Sequence, residues 1–301
     1  MEKRNFKGAF LTLSGASCWG ISGSVGQYLF TVQNMDSRWL VPIRLGLAGV
    51  ILLIYSAIKD REEVMLPWKT WKRAVYMLIY GVLGVSCCQF FYFLTIELST
   101  AAIGTILQDL APIFVLLFTC LISKRFPKFM EICSIVMALL GVFLLTTHGD
   151  ISSMNVPMGA LITGIISGIC VAVYNILAPK MSYVPVIIVQ GWSFLLGGIV
   201  GTFLFRIWEF NYVPNIYGIM GIAFVVLVGN VLAFTLYISG VQMIGPGRSI
   251  LYSFAEPITA AIISTVILGS AFTIYDAAGF LLIFAMLFLI SRNSSHGQES
   301  V

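Results

Sequence analysis

Long apolar runs separated by short polar breaks fill the chain from residue 8 to residue 291. A helix that crosses a bilayer needs about 20 mostly apolar residues, because it rises about 1.5 Å per residue through a hydrocarbon layer about 30 Å thick. Dividing the chain at its charged, proline-containing and asparagine-containing breaks gives ten segments near that length. The predicted spans are residues 8–30, 38–58, 74–95, 101–123, 130–147, 157–178, 185–207, 215–239, 248–269 and 273–291.

The composition supports a lipid environment for these segments. Of the 301 residues, 59% are apolar and 10% are charged, whereas roughly a quarter of the residues in a soluble domain are charged. A soluble domain of this length has too little interior to hide so much apolar surface. The first segment is longer than the apolar region of a signal peptide, so it is predicted to be a transmembrane helix. The chain is therefore predicted to be an all-α membrane protein.

The basic residues predict how the chain is oriented in the membrane. If the N-terminus is cytoplasmic, all 17 lysines and arginines except Arg38, Arg44 and Arg206 fall on the cytoplasmic side. This bias is what the positive-inside rule expects of the correct orientation. Both termini of this multi-pass protein are therefore predicted to lie in the cytoplasm, and the compact loops favour the cytoplasmic membrane of a cell. The net charge of +4 comes from short clusters between spans and does not indicate a nucleic-acid partner.

The second half of the sequence partly repeats the first half. Tyr92 and Pro112 recur as Tyr237 and Pro257 at one offset of 145 residues. These residues lie in the predicted helix pairs three and four, and eight and nine. The two pairs are therefore interpreted as equivalent parts of an internal repeat.

The starts of the first and sixth predicted helices also match, since Gly-Ala and a following threonine occupy residues 8–12 and residues 159–163. The match divides the chain into two units of five helices, residues 1–148 and residues 149–301. Because five is odd, the second unit enters the membrane from the opposite side. Inverted-topology repeats of this kind are common in secondary transporters, whose substrate site lies between the two halves.

Two acidic residues lie deep inside predicted spans. Asp109 is about nine residues into helix four and Glu256 about eight residues into helix nine, so each is roughly 12–14 Å from the helix start. A charged side chain at the bilayer centre costs about 2.5–3.5 kcal/mol on insertion scales, and it usually marks a functional site. The alternative is that both acids only bond to polar groups and lock helices together.

Polar and aromatic side chains share helix faces with these acids and are predicted to line one cavity with them. Arg44 either extends to the outer interface or pairs with an acid or with a substrate carboxylate. The aromatic residues are either ligand contacts or packing residues. The candidate substrate-binding or coupling residues are Asp109, Glu256, Arg44, Trp19, Gln89, Tyr92, Gln108, Asn230, Tyr237 and Tyr252.

The sequence resembles the EamA family of the drug/metabolite transporter superfamily. The resemblance rests on the Trp-Gly pair at residues 19–20, on Arg44 early in helix two, and on Pro112 and Pro257. It covers nearly the whole chain and implies ten transmembrane helices in two inverted five-helix repeats that export small molecules. Family repeats often end helices four and nine with a Gly-Glu pair, which this chain lacks. The role of that loop acid is therefore not carried over.

These features predict a secondary transporter, and an exporter by resemblance, that moves a small metabolite by alternating access. A carboxyl group in low-dielectric surroundings favours its neutral form, so Asp109 or Glu256 could exchange a proton against substrate. Two acids and one arginine fit either a zwitterion such as an amino acid or an organic cation. The substrate identity and the oligomeric state stay open.

Two other functions were weighed against transport. A membrane-embedded enzyme needs a nucleophile–base pair or a metal site, but the chain has only two histidines, and its six cysteines lack metal-site spacing. A receptor or subunit without transport activity is not excluded by the sequence. No phosphate-binding Gly-Lys loop is present. We therefore expect a non-enzymatic protein without a cofactor or metal.

Overall fold

All ten apolar segments contain helix, and no strand occurs among the described residues. The computed structural model describes residues 2–59, 61–149, 155–245, 249 and 252–298, and the side chains of these residues from 5 to 290. The helices α1 to α10 cover Glu2–Thr31, Ser37–Lys59, Trp71–Leu98, Ala101–Ile122, Phe129–Thr147, Met158–Met181, Val186–Leu204, Ile216–Ile244, Ala255–Val266 and Ile274–Gln298. Short helical turns at Arg61–Val64, Leu66–Trp68 and Ile207–Glu209 lie in the connections.

Seven of the described helices, α2 to α8, are long and apolar enough to cross a membrane, and α9 and α10 contain shorter apolar stretches. Helix α1 is long enough, but its glycine, serine and threonine residues make it less apolar than those seven. Large apolar side chains such as Leu139, Phe203 and Val266 are exposed on the outside of the bundle. Such a surface suits lipid rather than water. The chain is therefore a multi-pass membrane protein.

Parts of two predictions fall outside the described residues. The predicted ninth span begins at residue 248, and residues 248, 250 and 251 are not described. Arg248, which was counted as cytoplasmic, is one of them. The predicted boundary between the two five-helix units lies directly before residues 150–154, which are not described either.

Helix packing brings together segments that are far apart in sequence. Helix α1 packs along α8 and α9, and α6 packs in the same way along α3 and α4. Helix α2 pairs with α7, and α5 pairs with α10. Glycines permit the closest crossings, because a Cβ atom placed on Gly198 of α7 would collide with the backbone of Gly46 in α2. At the α5–α10 crossing, Gly141 and Gly279 pack against Ile283 and Leu145 in a reciprocal arrangement.

Three helices depart from regular geometry near the centre of the bundle. Helix α3 contains a π-helical segment at Ile79–Ser86, and α8 contains one at Val225–Leu232. Helix α4 is interrupted after Gln108 and resumes at Ala111. Irregular backbone inside a membrane protein is tolerated where it is buried in protein or lines a cavity, and π-helical segments often occur at functional sites.

Candidate functional site

A cavity of about 770 Å³ runs from the middle of the bundle to one of its ends. Its inner part is lined by residues such as Trp19 and Asp109, which lie in the middle of α1 and α4. Its mouth is lined by Thr119 near the end of α4, Glu131 at the start of α5 and Val186 at the start of α7. We refer to this end of the bundle as the open end.

Asp109 lies at the interruption of α4. Pro112 has no backbone N–H and its ring disfavours a regular helix immediately before it. The N–H of Leu110 accordingly donates to the carbonyl of Leu107, three residues back, at 3.3 Å. Asp109 ends the first half of the helix, and its backbone N–H donates to the carbonyl of Thr105 at 3.0 Å. Its half-buried side chain lines the cavity.

Glu256 lies in the first turn of α9, directly before Pro257. Its backbone carbonyl lies against Gly20 of α1, where any side chain would collide with it. The half-buried carboxylate lines the same cavity as Asp109, and the two acids are near enough to repel each other. Neither carboxylate has a hydrogen bond or ion pair with another described side chain. Both acids are therefore available to a ligand.

Arg44 is completely enclosed in the bundle, with only 1% of its surface exposed. One guanidinium nitrogen donates to the side-chain oxygen of Gln89, and the other lies 3.5 Å from Oδ1 of Asn230. The guanidinium carbon sits 3.6 Å from the centre of the Phe93 ring, in cation–π contact. No carboxylate of the described residues forms an ion pair with it. Because Arg44 is enclosed, it does not extend to the outer interface, and pairing with a substrate carboxylate stays a prediction.

Three buried polar atoms around this arginine have no hydrogen-bond partner within the described part of the chain. They are Nε of Arg44, Nδ2 of Asn230 and the hydroxyl of Tyr92. All three residues line the cavity. Buried polar groups are nearly always hydrogen-bonded, so unsatisfied groups at one place need an explanation.

Aromatic rings form much of the remaining wall. Trp19 of α1 and Tyr237 of α8 contact each other with ring centres 4.8 Å apart. Tyr80 of α3 and Tyr174 of α6 lie 5.9 Å apart. All four rings line the cavity. They present flat apolar surfaces beside the charged groups, which is how ligand sites commonly combine apolar walls with a few polar groups.

The structure brings nine of the ten candidate residues to one cavity and leaves Tyr252 outside its lining. The next two residues, Ser253 and Phe254, do line the cavity, so the backbone beside Tyr252 passes the cavity while its side chain is not part of the lining. Gln108 accepts a hydrogen bond from Ser167 at 3.3 Å. The cavity-lining candidates are Trp19, Arg44, Gln89, Tyr92, Gln108, Asp109, Asn230, Tyr237 and Glu256.

Sequence reasoning missed an ion pair at the mouth of the cavity. Arg125 donates to both oxygens of Glu131, at 2.8 and 3.0 Å, and Lys128 donates its backbone N–H to the same carboxylate at 2.7 Å. The hydrogen bond with Glu131 raises the pKa of Arg125 above its ordinary value. The signal was present, since Glu131 falls inside the predicted fifth span. Gln190, Asn175 and the Tyr80–Tyr174 pair were also missed as lining residues.

The opposite end of the bundle is held together by Gln27, which is 3% exposed. Its Oε1 accepts hydrogen bonds from the backbone of Ala101 at 2.8 Å and from Ser264 at 2.7 Å, and its Nε2 donates to Ser270 at 2.9 Å. These bonds connect α1, the start of α4 and the end of α9. We refer to this end as the closed end. A separate cavity of about 360 Å³, lined in part by His148, lies there.

Comparisons with known proteins point to membrane transporters. The model of the EamA-like transporter family matches residues 6–147 and 158–292. The chain is 34% identical over 292 residues to the uncharacterized inner membrane transporter YicL of Salmonella typhimurium, with 96% of each chain covered. It is 24% identical over 266 residues to the uncharacterized transporter YyaM of Bacillus subtilis, with 84% of each covered.

A solved crystal structure is similar over 96% of each chain, with a TM-score of 0.63 and 16% sequence identity. At that identity, the similarity concerns the fold alone. The helical arrangement described above is therefore shared with a protein whose structure was determined by experiment.

Proposed function

The chain belongs to the EamA-like transporter family, and we propose that it is a secondary carrier that exports a small metabolite by alternating access. The central observation is a cavity between broken helices that is lined by one arginine and by two carboxylates without an ion pair to any described residue. Substrate sites of secondary transporters occupy such a position, near the membrane midplane and between discontinuous helices. The proposed substrate is an amino acid or an organic cation.

The packing supports the proposal that α1–α5 and α6–α10 are inverted repeats. Thr12 lies against Gly240, and Thr163 lies 2.8 Å from Thr95. The offset that relates the two Gly-Ala starts carries Thr12 onto Thr163, and the offset of 145 residues carries Thr95 onto Gly240. The contact of α1 with α8 thus has its counterpart in the contact of α6 with α3. Two such units can rock against each other around a fixed central site.

The charges at the open end support the proposed orientation in the membrane. The mouth lies next to the basic loop that holds Lys124, Arg125 and Lys128, which the positive-inside rule assigns to the cytoplasm. The described conformation then opens to the cytoplasm and is closed towards the outside. An exporter would load its substrate in this state.

Proton coupling is proposed for the acid pair. Two carboxylates that repel each other in one cavity bind a proton or a cationic group more readily than either carboxylate alone. A cationic substrate and protons would then compete for Asp109 and Glu256. Competition of this kind couples the movement of the substrate to the opposite movement of protons. The reason is that the carrier changes between its two conformations most easily when its acids are neutralised.

The test uses purified protein in proteoliposomes with a pH gradient and a panel of labelled amino acids and cationic dyes. We expect Asp109→Asn and Glu256→Gln to lose accumulation driven by the pH gradient, and to exchange substrate at equal pH only at a raised substrate concentration, because each variant removes one of the two acids proposed to hold the cationic group. Glu97→Gln is the matched control. Glu97 is a half-buried acid of α3 that accepts the backbone N–H of Ser37 at 3.1 Å and does not line the cavity.

The two parts of the proposal can fail separately. If both cavity variants accumulate substrate like the unmodified protein, the acids do not couple protons to transport. If the unmodified protein moves no compound of the panel, the carrier function itself is wrong. Loss of transport in Glu97→Gln would show that the assay reports on general damage rather than on the cavity.

A further inference from the structure

The enclosed guanidinium of Arg44 carries a positive charge that the described protein does not neutralise. Gln89 and Asn230 offer it carbonyl oxygens, and Phe93 offers it a ring face, but none of these groups is an anion. Enclosing a charge without a counter-ion is costly, because neutral dipoles replace only part of the lost solvation. The surroundings of this guanidinium are therefore suited to an anion.

The three unsatisfied atoms beside this charge identify the kind of group that fits. Nε of Arg44 and Nδ2 of Asn230 can only donate hydrogen bonds, and the hydroxyl of Tyr92 can donate as well. The oxygens of Gln89 and Asn230 already face the guanidinium, so rotating either amide would sacrifice an existing contact. What is missing is an acceptor with several lone pairs. A carboxylate has two oxygens and can accept about four hydrogen bonds.

The position of these donors relative to the acid pair fits a substrate with both charges. Gly23 of α1 lies against the hydroxyl of Tyr92, with 2.6 Å to an added Cβ, and Gly20 lies against the backbone carbonyl of Glu256. These two glycines are one helical turn apart, which is about 4.5 Å along the axis. A small molecule with adjacent cationic and anionic groups could therefore reach both parts of the cavity.

We propose that Arg44, Tyr92 and Asn230 form an anion subsite that binds a carboxylate of the transported substrate. The inference rests on the proposed carrier function and extends it, because it selects carboxylate-bearing compounds over purely cationic ones. The acids Asp109 and Glu256 form the opposite pole and bind the cationic group. A purely structural arginine that ties α2 to α3 and α8 would have no preference between ligands.

The first experiment compares ligands that differ only at the carboxylate. Detergent-purified protein is tested for thermal stabilisation, and proteoliposomes for exchange, with the proteinogenic amino acids, their amides, their decarboxylated amines and the organic cation ethidium. We expect the best acid to bind at least about tenfold more tightly than its amide, since a charged hydrogen-bonded pair is lost in the amide.

The second experiment supplies the protein with its own carboxylate. Oδ1 of Asn230 lies 3.5 Å from a guanidinium nitrogen of Arg44, so Asn230→Asp places an anion next to the arginine. We expect this variant to be more stable than the unmodified protein without ligand and to bind the acid at least about tenfold more weakly. The acid and its amide should then bind almost equally.

Gln190→Glu is the matched control, because it adds the same charge to the same cavity at another depth. Its neighbour Gly191 packs on Leu53, nine residues beyond Arg44 on α2 and so about 13 Å along the helix. We expect its preference for the acid over the amide to stay within about twofold of the unmodified protein, a change of less than about 0.5 kcal/mol.

Tyr92→Phe provides a test that does not introduce charge. The hydroxyl has no hydrogen-bond partner among the described residues, so its removal should leave stability unchanged or raise it. The same change removes one donor from the bound carboxylate and should weaken acid binding by about three- to tenfold, as expected for one hydrogen bond. If Tyr92 had only a packing role, its substitution would not weaken acid binding while leaving the stability of the protein unchanged.

The outcomes separate this subsite from the carrier function. If the amide or ethidium is bound and exchanged as well as the best acid, the subsite is overturned while transport stands. The subsite is equally overturned if Asn230→Asp binds the acid like the unmodified protein, or is less stable than it. If the unmodified protein exchanges no compound, the proposed function fails and the subsite fails with it.

Discussion

Replacing Gln27 with leucine is expected to weaken the closed end of the carrier. The side chain makes three hydrogen bonds, to Ala101, Ser264 and Ser270, which join α1 to α4 and to the region after α9. Hydrogen bonds between membrane helices average about 0.6 kcal/mol in double-mutant cycles, and typical protein hydrogen bonds reach about 1.5 kcal/mol. Losing all three shifts the balance between closed and open forms by about 2–4 kcal/mol. The smaller value already corresponds to roughly 30-fold.

The shift can be measured as a distance across the closed end. Spin labels on cysteines at the exposed positions Val32 and Phe272, in a protein otherwise free of cysteine, report the separation of α1 from the α9–α10 connection. We expect a longer-distance population in Gln27→Leu that the unmodified protein lacks. Gln33→Leu is the matched control, since Gln33 donates only to Tyr28 of its own helix region at 2.8 Å.

Identical distance distributions for Gln27→Leu and the unmodified protein would refute this reasoning. The closed end would then be held by apolar packing rather than by the buried amide. A longer-distance population in Gln33→Leu as well would show that any loss of a polar group near this end opens it. In that case the three cross-helix bonds would have no special role.

Two further predictions concern the scaffold. Gly198→Leu should destabilise the protein by about 1–3 kcal/mol or more, because its side chain would collide with the backbone of Gly46, whereas Gly159→Ala, which meets only Leu98 at 3.4 Å, should change the unfolding temperature little. The hydroxyls of Thr95 and Thr163 lie 2.8 Å apart, and a double-mutant cycle with valine at both positions should give a coupling energy of about 0.6 kcal/mol. The cycle is measured by reversible unfolding in bicelles. A coupling energy of zero would show that the contact does not contribute to stability.

The helices could be predicted from the sequence because lipid imposes a simple rule. A segment that crosses hydrocarbon must satisfy its backbone hydrogen bonds internally and must be apolar over about 20 residues. Both requirements concern consecutive residues, so they can be recognised in the sequence. The interruption of α4 was only partly predictable. Pro112 indicated a kink, but the turn falls at Asp109 and Leu110, upstream of the proline. The π-helical segments of α3 and α8 have no local signal, since they depend on packing against neighbouring helices.

The candidate site was predictable where polar residues interrupt apolar spans, and not elsewhere. Asp109 and Arg44 were found because charge inside a span is costly. Gln27 was missed because its importance comes from hydrogen-bond partners 74, 237 and 243 residues away. Tyr252 was included because it is four residues before Glu256 and so shares a helix face with it in the sequence pattern, but it lies outside the lining although Ser253 beside it is part of that lining.

The polar groups of the cavity do not follow the proposed repeat. The offset of 145 residues that superposes the two prolines carries Asp109 onto Phe254 and carries Glu256 back onto Ala111. Each acid thus has an apolar residue at the equivalent position of the other unit. In both proposed units the helix is interrupted before the proline, but Asp109 lies in the interruption of α4, whereas Glu256 lies two positions further along the repeat, in the first turn of α9.

Arg44 has no counterpart either. The offset of 152 residues between the crossing glycines Gly46 and Gly198 carries Arg44 onto Leu196. In the proposed repeat, the helix packing and the helix breaks recur in both units, whereas the charged residues of the cavity do not. A site made of unequal halves can hold a substrate with unlike ends, one facing the arginine and the other facing the acids. The two halves can then move as near-equivalent bodies while the ligand between them keeps one orientation.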